Sequence, residues 1–190
     1  MTEMAMSTVQ ERRATIFDLM GIEGKAELIG GKVVLYVPTG MRPNEVAGNI
    51  YISLHTTARK RRAKAFTDNM GYIVPELSSG RESFSPDASY YDGPLPKDAM
   101  DFIRGTPNLA IEVRSKGDYG RTADRKMAEK RADYFEAGTL VVWDVDPKNG
   151  WIDCYRADAP ERRLRFKKGD IADAEPAVPG WRIPVNDVFA

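Results

Sequence analysis

The chain has 190 residues, 42% hydrophobic and 29% charged, a composition that suits one globular domain with its own core and excludes disordered and collagen-like chains. Lys plus Arg total 28 and Asp plus Glu total 28, so no global field draws the chain to nucleic acid or to an anionic membrane, and a charged partner must meet a local patch. The single cysteine, Cys154, excludes an internal disulfide and a thiolate zinc cluster and points to a reducing cytoplasm; residues 1–13 lack the apolar core of a signal peptide, and no run reaches the length of a membrane span.

In chain order, Ser7-Thr8-Val9-Gln10 has the form of a capping box, and Ile16 and Leu19 continue a short helix that stops at Gly21. Residues 1–25 thus form an extension and helix ahead of the main body of one domain spanning 1–190. Ala26 to Ile29 and Lys32 to Val37 flank Gly30-Gly31, the signature of a tight β-hairpin. After Pro43, with Asn44 as the expected N-cap, Val46, Ile50 and Leu54 recur every four residues and define an amphipathic helix running toward the basic Arg59-Lys60-Arg61-Arg62. Phe66 to Glu76 and Pro86 to Asp92 read as strands broken by Gly71, Gly80 and Gly93. Leu109 to Val113 is an apolar run of strand length, interrupted only by Glu112, as in a buried central strand. A helix over Thr122 to Ala137 capped by Gly138, a strand from Leu140, and Trp151 to Tyr155 returning across Pro147-Lys148-Asn149-Gly150 complete the pattern. The tail from Pro176 to Ala190 reads as an ordered surface segment anchored by Trp181, Ile183 and Phe189. Strand, helix, strand order places the chain in the α/β class, a mixed sheet flanked by helices.

The chemistry open to these residues is narrow. One histidine, His55, excludes histidine-rich metal sites, and Gly31-Lys32 lacks both the hydroxyl residue and the earlier glycine of a phosphate loop. Carboxylates and lysines remain. Asp87 opens one predicted strand and Glu112 lies inside another, so the two converge if those strands pair. A buried Glu112 requires a partner: either an arginine, forming a structural ion pair near the sheet end, or a cation such as Mg2+ held by oxygen ligands.

Several segments resemble the Uma2 family of restriction-endonuclease-like proteins in the PD-(D/E)XK nuclease superfamily. They are Phe84-Ser85-Pro86-Asp87; Pro107 to Ser115; Lys130-Arg131-Ala132-Asp133-Tyr134 with Ala137-Gly138; and Trp143-Asp144-Val145-Asp146-Pro147. Glu27 to Val33 and Val178-Pro179-Gly180-Trp181 extend the similarity from Ala26 to Phe189. The resemblance implies a restriction-endonuclease-like core in which Asp87 and Glu112 hold a divalent cation, Mg2+ or alternatively Mn2+, with Glu27 as a third carboxylate. It also implies hydrolysis of phosphodiesters, with DNA as substrate, and a homodimer as the assembly. Where the superfamily pattern has lysine two residues after the glutamate, this chain has Arg114, which stays protonated and can neutralise a phosphate. Lys130, four residues before Tyr134, matches the family's displaced lysine; Lys126, one turn earlier on the same helical face, is the alternative. Lys116, in the loop after the Glu112 strand, is a further phosphate contact. Leu140-Val141-Val142 replaces the Pro-Glu-aromatic segment that precedes the tryptophan in the family, so any role of that glutamate is absent. Two rivals share the fold: a catalytically silent nucleic-acid-binding or protein-interaction module, and a phosphoesterase for small nucleotides.

Overall fold

The computed structural model describes residues 12–190. Helix α1 (Ile16–Met20) starts at Thr15, not Ser7: the Thr15 hydroxyl accepts from the Asp18 N–H and the Asp18 carboxylate accepts from the Thr15 N–H, a complete capping box. The Ser7 to Gln10 motif lies outside the described residues. Strands β1 (Ala26–Ile29) and β2 (Lys32–Leu35) form the expected hairpin, with Gly30 and Gly31 at φ 58° and 70°, the left-handed pair that a two-residue primed turn needs.

Helix α2 (Met41–Ala58) begins three residues before the expected cap, with Gly40 as N-cap. Pro43 is tolerated in its first turn because the amide it lacks would have no intrahelical partner there. Val46, Ile50, Leu54 and Ala58 bury the predicted apolar stripe. The helix ends at Ala58, before the basic cluster, and Arg61 donates to the Pro179 carbonyl.

Beyond α2 the chain forms β3 (Lys64–Thr67), β4 (Tyr72–Ile73), β5 (Ser83–Phe84), β6 (Ala88–Tyr91), β7 (Ile103–Arg104) and β8 (Leu109–Val113). Helix α3 (Arg121–Glu136) leads into β9 (Val141–Asp146), β10 (Trp151–Arg156) and β11 (Ala159–Lys167), followed by β12 (Ile171–Asp173), β13 (Arg182–Pro184) and α4 (Val185–Val188). The main sheet has the order β11-β10-β9-β8-β6-β3, parallel only at β8 and β9, the pair joined through α3. A small sheet, β5-β4-β7, and the front hairpin lie beside it, linked by a bridge between Ile29 and Arg81.

Period-two alternation divides the core between the sheet's faces. Leu109, Ile111, Val113, Val141, Trp143 and Val145 pack with the α2 stripe, whereas Ala110 and Val142 pack with Tyr134 of α3 and with Phe84 and Tyr72. Glu112 therefore faces α3. The tail is not a surface segment: Trp181 is buried and stacks on Trp143 at 5.2 Å between ring centroids, and Ile183, Val185 and Val188 join the α2 side of the core. Strand β11, absent from the sequence reading, is exposed along most of its length, so its Arg-rich sequence carries little apolar alternation.

Candidate active site

Strand pairing brings the two predicted acids together. The Asp87 N–H donates to the Ile111 carbonyl at 3.0 Å, one step before β6 pairs with β8, and its Oδ2 accepts from the Val113 N–H at 2.7 Å. Asp87 thus caps the end of the ladder beside Glu112. In the next element, the i, i+4 spacing of α3 projects Lys130 and Tyr134 onto the same sheet face. Lys130 Nζ lies 2.8 Å from Glu112 Oε1, and the Tyr134 hydroxyl donates to that oxygen at 2.6 Å. The partner of Glu112 is therefore a lysine and a tyrosine, not the arginine of the structural reading.

Glu27, fully buried on β1, lies under the same point. Its Oε1 accepts from Lys130 at 3.0 Å and from the Ser85 N–H at 3.0 Å; its Oε2 accepts from the Tyr36 hydroxyl at 2.7 Å and from Arg81. Arg81 also binds Asp133 at 2.7 Å and lies over the Phe84 ring at 5.1 Å from its centroid. A chain of buried charges thus runs Asp133, Arg81, Glu27, Lys130, Glu112.

These contacts decide protonation. Burial alone would raise the Glu27 carboxyl, but the charges of Lys130 and Arg81 and the Tyr36 hydrogen bond outweigh it and hold the group at about 2. Burial opposes the Lys130 charge too, yet Glu112 and Glu27 raise it above its ordinary value, so it stays an ammonium at neutral pH. Glu112 is raised, first by burial and then by Asp87, against the pull of Lys130. Burial and the charges of Glu112 and Glu27 push the Tyr134 hydroxyl far up, so it stays protonated and can donate to Glu112.

Asp87, Glu112, Lys126 and Lys130 line one cleft of about 760 Å³ together with Lys25, Tyr36, Asp68 and Arg81. Lys126 stands exposed at its rim and Lys116 projects from the exposed loop outside it. Arg114 is directed elsewhere. Its guanidinium forks onto Asp144 with two 2.7 Å bonds and reaches Asp124 at 2.7 Å, lining a neighbouring cleft with Tyr119, Asp146 and Trp151. Among the described residues, no group of three or more His, Cys, Asp or Glu is arranged around a metal position. Two carboxylates with water in the remaining positions nevertheless suit Mg2+, which takes one or two protein carboxylates and keeps much of its hydration.

Sequence reasoning missed Lys25, Arg81 and Asp68. The alternation of β1 would have placed Lys25 on the same face as Glu27. Nothing local marks Arg81 or Asp68, whose roles arise from contacts with distant strands.

A solved structure titled "putative nuclease belonging to DUF820", from Anabaena variabilis ATCC 29413, superposes with a TM-score of 0.71, covering 92% of this chain and 97% of that one at 18% identity. That likeness shows the fold, the α/β restriction-endonuclease-like core expected from the sequence. A search of curated proteins finds no match. No helix among the described residues is long and apolar enough to cross a membrane. A profile of the family Uma2, described as "Putative restriction endonuclease", matches residues 15–186, and the chain belongs to that family.

Proposed function

We propose that this protein is a divalent-cation-dependent nuclease that hydrolyses phosphodiester bonds of DNA in the cleft of Asp87, Glu112 and Lys130. The observation that carries this reading is the convergence of those three side chains, from the residue just before β6, from β8 and from α3, on one cleft over a buried network that fixes the lysine. Asp87 and Glu112 are the cation ligands, with Mg2+ as the resident ion and Mn2+ as a substitute. A bound cation supplies Lewis-acid polarisation of the phosphoryl oxygen and activation of water.

The chain's own groups do the rest. Lys130, kept as an ammonium, does not take a proton; it donates to substrate oxygens and stabilises the negative charge that develops on the phosphoryl group. Tyr134 and Lys130 both hold Oε1 of Glu112 and so fix the rotamer of that carboxylate. Glu27, with four donors on its two oxygens, anchors Lys130 and Arg81 in place of serving as a third ligand. Lys126 at the rim meets the phosphate backbone. A homodimer is the proposed assembly, and the free, buried Cys154 suits the reducing cytoplasm.

A silent interaction module is favoured by one observation, the lysine contact on Asp87 described below. Nicking of supercoiled plasmid DNA separates the two. Activity that requires Mg2+ and vanishes in a folded Asp87→Ala variant supports the nuclease. DNA binding without cleavage in wild type and variant alike supports the silent module, and faster hydrolysis of a small phosphodiester than of plasmid supports the small-nucleotide phosphoesterase.

A further inference from the structure

Lys25 lines the cleft against Asp87 and Asp68, and no step of the proposed reaction uses it. Its Nζ lies 2.6 Å from Oδ1 of Asp87 and 2.6 Å from Oδ1 of Asp68, and its side chain is 16% exposed. Its backbone is fixed, because the Tyr36 N–H donates to the Lys25 carbonyl at 2.9 Å and extends the front hairpin by one step. Glu112 also acts on the ammonium, so one positive charge serves three carboxylates.

An ion-free cleft would otherwise hold Asp87 and Glu112 side by side with like charges and only Lys130 opposite. The two oxygens that Lys25 contacts are not equivalent. Asp87 belongs to the ladder end and lines the cleft, whereas Asp68, at the end of β3, is 42% exposed and gives the ammonium a second, solvated partner.

We propose that Lys25 is a built-in counter-ion that competes with the divalent cation for Asp87, neutralising the acids in the ion-free protein and withdrawing onto Asp68 when the cation binds. The proposal rests on the reading of Asp87 and Glu112 as cation ligands. It makes cation affinity a property tuned from outside the ligand set, by a residue of the front hairpin that touches the acid instead of the ion.

The test is a calorimetric titration of Mn2+ into wild type and Lys25→Met, both shown to fold by circular dichroism. An opposite charge within ~4–6 Å alters the proton affinity of a carboxylate by about one to three decades, so removing Lys25 should tighten Mn2+ binding about tenfold or more. Equal or weaker binding by Lys25→Met, with wild type still binding, overturns the Lys25 proposal and leaves the cation site standing. Absence of binding by both proteins overturns the Lys25 proposal and the cation reading together. A second measurement needs no variant: acylation of wild-type lysines by an N-hydroxysuccinimide ester, followed by peptide mass spectrometry. Saturating Mn2+ should raise labelling of Lys25 several-fold relative to exposed Lys97, and unchanged Lys25 labelling overturns the proposal.

Discussion

Replacing Glu27 with Gln tests the buried network under the cleft, since glutamine preserves size and removes one charge. Arg81 would keep Asp133 and Lys130 would keep Glu112, but both cations lose the carboxylate that joins them. Folding lowers the Glu27 pKa from the ordinary 4.5 to about 2, which corresponds to about 3 kcal/mol of stability at neutral pH. Breaking a buried pair by removing one partner independently suggests about 3–5 kcal/mol. For a chain of this size each kcal/mol lowers Tm by roughly 2–4 °C, so Glu27→Gln should melt roughly 6–12 °C below wild type. Urea denaturation provides the free energy and calorimetric melting the Tm. The pH dependence has a fixed sign: because the folded pKa is below the unfolded one, the contribution is complete above about 4.5 and disappears as pH falls toward 2. The wild-type and Glu27→Gln stabilities should therefore converge in acid. A difference below about 1 kcal/mol at pH 7, or one that does not shrink with acidification, would refute the account of this network.

Lys130→Met should abolish plasmid cleavage while calorimetric Mn2+ binding persists, because an ammonium is not a cation ligand; loss of activity only in Lys126→Ala would move the lysine role one turn along α3. Arg114→Gln should destabilise the fold by about 3 kcal/mol in urea denaturation, since it leaves buried Asp144 unpaired. Arg114→Lys should not restore this, as a point charge cannot reproduce the two-bond fork. Trp181→Ala removes the ring stacked on Trp143 and should cost about 3–5 kcal/mol, a loss that a merely surface-anchored tail would not show.

The legible parts of this molecule were those with local causes. Gly30-Gly31 announces its turn because only glycine adopts successive positive φ angles at little cost, and the four-residue spacing of Val46, Ile50 and Leu54 announces the buried face of α2. Glu112 drew attention as an acid within an apolar strand, and Lys130 and Tyr134 share a face whenever their segment is helical. What the sequence concealed depends on tertiary pairing. Helix α2 is capped at Gly40 and not at the expected Asn44. Trp181 reads from the sequence as the anchor of a surface segment, and only the pairing of β13 with β12 shows it buried against Trp143. Arg114, two residues after Glu112, reads from the sequence as a group able to neutralise a phosphate. Its side chain leaves β8 beyond the last ladder pair and is captured by Asp144 of the neighbouring strand. Arg81 carries no local signal at all; its importance comes from Glu27 and Asp133, more than fifty residues away on either side.

Everything proposed for the cleft depends on Asp87 and Glu112 forming a divalent-cation site. The decisive measurement is calorimetric titration of the purified protein with Mg2+ and Mn2+ beside a folded Asp87→Ala, Glu112→Ala double variant. Saturable binding by the wild type and none by the double variant is the expected result; equal binding by both, or none by the wild type with or without a substrate-length DNA duplex, rules the cation site out.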